Sequence, residues 1–164
     1  METLQTPDIT ENSDPFRDLV VRDLKYRHDD RISPAERASL RTPENLPLWL
    51  DTLTHLRREM EVQYTERRAA AGEYKEQCLA RGYSGKSDWF RYKDEYDAWR
   101  ARGNRFTTLI KARIDEAKRL LREEEAKQAD YRRLLREALC ILREARCVGD
   151  AGELIGEIEE VLLE

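Results

Sequence analysis

The segment Ala80–Ser87 (Ala-Arg-Gly-Tyr-Ser-Gly-Lys-Ser) has the spacing of a loose phosphate-binding loop, with alanine at the first glycine position. Such a loop binds phosphate when it follows a buried strand and opens a helix, because its backbone N–H groups then surround the anion. Residues 74–79 have a helical pattern instead, and no apolar run ending in aspartate is present to bind magnesium. We therefore interpret the segment as a helix stop, a tight link and a Ser87 N-cap, and we retain Lys86 as a candidate anion contact.

Histidine and cysteine residues give little support for a metal site or a nucleophile. His28 and His55 lie far apart in the sequence, and Cys78, Cys140 and Cys147 lack the close spacing of zinc ligands. The chain contains no Ser–His–Asp arrangement that stands out and no Cys-x-x-Cys pair. We therefore expect no catalytic residue, no metal and no cofactor, in a protein that is not an enzyme.

Aromatic and basic residues alternate between residues 86 and 106, and two interpretations fit this pattern. The aromatic rings either stack on nucleic-acid bases while the cations contact phosphates, or they form a core with the cations in water. The core interpretation is favoured because most of the rings fall on one helix face. The aromatic residues are Trp89, Phe90, Tyr92, Tyr96, Trp99 and Phe106. The candidate anion or nucleic-acid contacts are Lys86, Arg91, Lys93, Arg100, Arg102 and Arg105.

Composition limits the class of protein further. The chain has 164 residues, of which 39% are charged, and its mean hydropathy is -0.84. No apolar run approaches the roughly 20 residues of a membrane span, and the first residues lack the pattern of a secretory signal. Three cysteines in such a chain predict reduced thiols and a cytoplasmic protein. The net charge of -4 is uneven, with a basic middle over 31–149 between two acidic ends.

The distribution of proline predicts an all-α fold. All five prolines lie in the first 47 residues, and the rest of the chain lacks the alternating pattern of a strand. The dipeptides that begin at Asp14 and Ser33 are helix-start signals, which predict helices over 15–28 and from 34 to about 41. Residues 1–46 are thus predicted to have a mobile start, two short helices and a proline-containing linker.

Two apolar seams, with alternating steps of three and four residues, indicate two long helices of coiled-coil type. The first covers 47–81, and the second covers 88–148, with Gly82 as the stop between them. The second seam, which includes Arg113, keeps its phase through nine heptads. It weakens at Gly103 and at residues 123–127, where the helix either continues or kinks. These helices predict a long antiparallel hairpin.

The second helix is the longer one, about 90 Å against about 50 Å at the usual rise per residue. Its end therefore extends beyond the first helix, and an uncovered apolar seam marks an interface. Either a second copy of the chain covers this seam, or the 15–28 helix and the short acidic helix predicted within 149–164 cover it. We favour a homodimer. The predicted contact residues are Tyr131, Leu134, Leu135, Ile141 and Leu142.

Residues 86–102 read Lys-Ser-Asp-Trp-Phe-Arg-Tyr-Lys-Asp-Glu-Tyr-Asp-Ala-Trp-Arg-Ala-Arg and continue into 106–118. This stretch resembles small helical proteins of unassigned role that phages and prophages encode. The resemblance is a helix pattern, and Gly103 departs from it because a better helix former is expected there. It implies a phage or mobile-element context and assigns no activity and no functional residue.

The sequence therefore predicts a non-enzymatic, cytoplasmic protein–protein interaction module of coiled-coil type that dimerises and binds a host or viral protein, without membrane contact. The alternative is a nucleic-acid-binding accessory protein that uses the basic, aromatic central helix. Retention on DNA or RNA with a steep salt dependence would favour the alternative, because phosphate contacts release counterions.

Overall fold

The computed structural model describes residues 14–25, 32–144 and 151–163, and its elements are all α-helices. In chain order they are α1 (Pro15–Lys25), α2 (Pro34–Ser39), α3 (Leu46–Ala80), α4 (Tyr83–Glu144) and α5 (Ala151–Leu163). No strand occurs in these ranges, which confirms the all-α class predicted from proline and periodicity. Within the same ranges, every helix falls short of the length and apolarity that a membrane span requires.

The chain divides into two compact units, Met1–Lys118 and Arg119–Glu164. The first unit contains α1, α2, α3 and the first part of α4. The second unit contains the remainder of α4 together with α5.

Both short N-terminal helices begin at the predicted caps. The backbone N–H of Phe16 donates to the Asp14 carboxylate at 2.9 Å. At α2, the Ser33 hydroxyl accepts from the Glu36 backbone N–H while the Glu36 carboxylate accepts from the Ser33 backbone, which is a complete capping box. Residues 26–28 of the first predicted helix and the predicted mobile start at 1–13 lie outside the described residues.

The connection between the two long helices is shorter than the sequence predicts. Gly82 has the expected positive φ of 75°, but α4 begins directly afterwards at Tyr83, so the predicted link and the Ser87 N-cap are wrong. Gly85 explains the difference, because a Cβ atom there would lie 2.8 Å from the carbonyl carbon of Cys78 and closer still to its oxygen. Glycine allows the first turn of α4 to lie against the last turns of α3, so no longer link is needed.

The structure also answers whether α4 is interrupted. The helix continues through Gly103 and through residues 123–127, the two places where the seam weakens. The last predicted residues of this helix, 145–148, lie outside the described residues, and α5 lies within the predicted acidic range 149–164.

Aromatic contacts show how α3 and the first part of α4 pack. Tyr64 packs edge-on against Trp99 with ring centroids 5.0 Å apart, and Tyr74 packs against Tyr92 at 4.6 Å. Lys75 lies 6.0 Å from the centroid of the Trp89 ring. Because the partner number falls on α4 as the residue number rises on α3, these segments run antiparallel.

In the core of the first unit, α1 packs against α3. Trp49 and Leu56 of α3 are fully buried, and Arg41 lies over the Trp49 ring at 5.0 Å from its centroid. The large side chains with the least exposure are Trp49, Trp99, Leu40, Leu53, Leu56, Met60, Ile110, Val20 and Val21.

A charged network, which no local sequence signal indicates, links the short helices to α4. Asp23, which is 1% exposed, has one carboxylate oxygen 3.3 Å from Arg113 and the other 3.7 Å from Arg37. Arg113 also bonds to Glu116 at 2.7 Å, and Arg41 bonds to the same carboxylate at 2.8 Å. The arginine at a seam position of the second helix is thus the partner of a buried aspartate on α1.

Candidate protein-interaction surface

In the second unit, α5 packs on one face of α4. Leu139 is 8% exposed there, and Leu135 and Leu142 are half-buried beside it. These three side chains share one helix face because they follow i, i+4, i+7 spacing. An ion pair between Arg143 and Glu159 joins the two helices. The half-buried apolar residues of α5 are Ile155, Ile158 and Leu162.

Four large apolar side chains remain exposed among the described residues of this unit. They are Tyr131 at 59%, Leu134 at 55%, Ile141 at 66% and Val161 at 45% exposure. We call these four residues the docking strip. Leu134 and Ile141 lie about 20° apart around α4, and Tyr131 lies about 60° from Leu134, so that all three are on one side of the helix.

The docking strip lies on one side of the helix pair. At about 100° per residue, the face of Leu134 and Ile141 is roughly a third of a turn from the face that α5 covers, and Arg143 lies on the opposite side. Glu159 pairs with Arg143, and Val161 is about 200° around α5 from Glu159. Val161 therefore lies on the same side as the exposed residues of α4.

The borders of the docking strip are acidic. Asp130 and Glu137 lie along its outer edge on α4, and Glu157 lies beside Val161 on α5; all three are exposed. Asp130 forms an exposed ion pair with Arg133 at 3.4 Å, and such pairs contribute little in water.

The opposite side of the helix pair is polar and basic. It carries a shallow, open cavity of about 340 Å³. The residues that line the cavity are Glu125, Gln128, Ala129, Arg132 and Arg136. The strip side also carries two basic residues, Lys127, which lies seven residues before Leu134 and pairs with Glu124 at 3.4 Å, and Arg133, which pairs with Asp130. Arg132 and Arg136 lie on the opposite side together with Glu125.

The predicted contact residues fall into two groups in the structure. Tyr131, Leu134 and Ile141 are exposed, whereas Leu135 and Leu142 are half-buried on the face toward α5. Val161 was not among the predicted contacts. The sequence could have indicated its exposure, because helical spacing places Val161 about a quarter turn around α5 from the apolar residues that face α4.

Most rings of the predicted aromatic cluster pack between helices. Trp99 is buried, and Trp89, Tyr92, Tyr96 and Phe106 are half-buried. Arg67 of α3 lies 5.1 Å from the centroid of the Trp99 ring. Phe90 differs, because it is 62% exposed. Trp99 therefore lies in the core, and the other seam rings are partly covered; the contacts with α3 among the described residues involve Trp89, Tyr92 and Trp99.

The candidate anion contacts on α4 do not form one cluster. Lys93 donates to Asp97 at 2.7 Å, and this hydrogen bond raises the pKa of Lys93. Helical spacing separates Lys93 and Arg100 from the side that carries Arg91 and Arg102. The exposed candidates are Lys86, Arg91, Lys93, Arg100, Arg102 and Arg105.

The phosphate-loop pattern lacks its structural context, since the helix α3 and not a strand precedes residues 83–87. In the part of the chain that the structure describes, no three metal-ligating side chains come together. Cys78 is buried and Cys140 is exposed, while His28 and Cys147 lie outside that part. Comparison of the chain with family models, with curated proteins and with solved structures gives no match.

Proposed function

We propose that the chain is a non-enzymatic protein–protein interaction module of coiled-coil type and that the docking strip is its contact surface. The observation that carries this proposal is the exposure of Tyr131, Leu134, Ile141 and Val161 on one side of the α4–α5 pair. Contiguous apolar surface with a polar border is typical of interaction sites in water-exposed proteins.

The size of the strip supports the same proposal. The exposed fractions correspond to roughly 400 Å² of side-chain surface, given the areas that aromatic and aliphatic residues bury. Covering that surface would contribute on the order of 10 kcal/mol before the free-energy cost of association is subtracted. Because association itself costs about 4–15 kcal/mol, a partner must also contact surface beyond the strip, such as the half-buried neighbours Leu135 and Leu142.

The coiled-coil part of the proposal concerns α3 and the first part of α4. In this proposal the two segments form a helical hairpin that is a scaffold rather than a catalytic framework. Its support is the antiparallel order of the ring contacts, Tyr64 with Trp99 and Tyr74 with Tyr92. The same contacts favour this function over nucleic-acid binding, because they occupy the rings that base stacking would need.

The proposal includes two kinds of partner for the docking strip. One is a second copy of the chain, as the uncovered seam predicts. The other is a host or viral protein, which the resemblance of residues 86–118 to small phage-encoded helical proteins supports. Both would meet the module in the cytoplasm.

The experiment that tests the proposal is affinity capture from the native cells with three versions of the tagged chain. We expect native protein to retain a partner in near-stoichiometric amount and the Leu134→Asp, Ile141→Asp double variant to lose it. Val62→Asp is the matched control, since Val62 is 55% exposed on α3, in the first unit. Circular dichroism should show all three to be equally helical, because none of the changed side chains is buried.

A capture pattern that is the same for the native protein and the double variant contradicts the proposal. So does a partner that Val62→Asp removes as completely as the double variant does. Self-association counts as capture here, and is measured by co-purification of a second, differently tagged copy.

A further inference from the structure

We propose that the docking strip binds an amphipathic helix of another protein whose apolar stripe is flanked by lysine or arginine. This inference rests on the proposed function and adds the chemistry of the partner. It follows from the shape of the strip and from the charges that border it.

The shape of the strip fits a single helix. Tyr131 and Ile141 are ten residues apart on α4, which is about 15 Å or nearly three turns. Val161 on α5 lies on the same side, so that the strip spans both helices. A helix that lies on such a surface uses apolar residues at i, i+3 or i+4, and i+7 as its anchors.

The charged residues that border the strip determine which flanking charges on a bound helix are attracted. Asp130 and Glu137 border it on α4, and Glu157 borders it on α5. All three are exposed, and Arg133, the partner of Asp130, lies farther around α4 from the strip. A bound helix would place its own flanking residues over these carboxylates, so basic flanks are attracted and acidic flanks are repelled.

The same charges disfavour a second copy as the occupant. If two copies met through the strip, the acidic borders of one copy would meet those of the other. Juxtaposed like charges at an interface suppress association. The basic residues nearest the strip, Lys127 and Arg133, already pair with Glu124 and Asp130.

The test uses three designed helical peptides as probes and the full chain as the receptor. The basic probe carries a leucine stripe with lysine flanks, the acidic probe carries the same stripe with glutamate flanks, and the scrambled probe has the basic composition without a stripe. Fluorescence anisotropy measures each affinity. We expect the basic probe to bind at least about tenfold more tightly than either of the others.

Two variants assign the effect to the strip and its borders. Leu134→Asp with Ile141→Asp should weaken the basic probe about tenfold or more. Glu137→Lys with Glu157→Lys should weaken the basic probe and strengthen the acidic one, so that their ratio approaches one. Val62→Asp should leave the affinity for the basic probe unchanged.

Equal affinities for the basic and acidic probes, or binding of the scrambled probe as tight as that of the basic probe, would overturn the inference. Failure of the basic probe to bind at about 100 µM would do the same. Sedimentation that shows a dimer of the native chain, abolished by Leu134→Asp with Ile141→Asp, would make a second copy the occupant. That result overturns the basic-helix inference while it leaves the proposed interaction function intact.

Discussion

Replacement of Gly103 by alanine should destabilise the first unit, although alanine normally stabilises a helix interior by about 1 kcal/mol relative to glycine. The reason is the Tyr64 side chain, which lies against Gly103 from α3. A Cβ atom at position 103 would lie 2.9 Å from Cζ of Tyr64 and closer still to its hydroxyl oxygen. Tyr64 therefore occupies the space that a side chain at position 103 would need.

The expected loss of stability follows from the hydrogen bond and the packing contacts that Tyr64 would lose if its ring moved. The ring must retreat by roughly 1 Å to restore ordinary carbon–carbon separation. Its hydroxyl now donates to the Arg100 carbonyl at 3.3 Å, a bond that contributes about 1 kcal/mol. Burial raises the pKa of Tyr64, so the hydroxyl remains a donor. Overpacking against Trp99 adds about 1–3 kcal/mol, and the net loss is about 1–3 kcal/mol after the helix gain.

Denaturant unfolding followed by circular dichroism measures these effects. Gly72→Ala is the control, because a Cβ atom there meets nothing within 4 Å, and it should stabilise the chain. In a Tyr64→Ala background, Gly103→Ala should also become stabilising, by up to about 1 kcal/mol. The reasoning is refuted if Gly103→Ala stabilises the native chain as much as Gly72→Ala does.

Three further predictions concern the charged network around Asp23 and the phosphate-loop pattern at residues 80–87. Asp23→Ala should destabilise the chain by about 2 kcal/mol in denaturant unfolding, because it removes the buried carboxylate between Arg113 and Arg37 and leaves Glu116 alone to compensate Arg113; an effect below about 0.5 kcal/mol would contradict this. Burial raises the pKa of Glu116, but hydrogen bonds from Arg41 and Arg113 outweigh burial and hold this pKa below the ordinary 4.5. The ionised Glu116 side chain therefore stabilises the fold above pH 4.5, and this stabilisation is lost as the pH falls through the lower pKa of the folded state. Glu116→Gln should therefore show a smaller fall in melting temperature between about pH 7 and about pH 3 than the native chain, and an equal fall would be evidence against this linkage. Lys86→Ala should leave the melting temperature unchanged, and calorimetric titration of ATP into the native chain should show no micromolar affinity; saturable binding lost in the variant would revive the phosphate-loop interpretation.

Much of the architecture was accessible from local sequence signals. Proline confined to the first 47 residues predicts long helices, and the Ser33–Glu36 pair forms the predicted capping box. The junction at 82–87 was less accessible, because a serine after glycine is also an N-cap signal. Only the close approach of Gly85 to Cys78 shows that the helix begins earlier.

The tertiary contacts were harder to predict because their partners are distant in sequence. Arg113 interrupts an apolar seam, and nothing near it in the sequence indicates that Asp23, ninety residues earlier, is its partner. Gly103 looked like a poor helix residue because propensity does not report what packs against it. For the docking strip, periodicity predicted the residues on α4, but Val161 required knowledge of how α5 lies on α4.

The most direct test of the account is site-specific photo-crosslinking from the docking strip in the native cells. A benzophenone side chain replaces Ile141 in one variant and Val62 in another, and both positions are exposed to a similar degree, 66% and 55%. We expect a discrete protein adduct from position 141 that is absent at position 62 and that disappears when Leu134 is changed to aspartate. No adduct from position 141, or the same adduct from both positions, would contradict the claim that this strip is where the protein binds its partner.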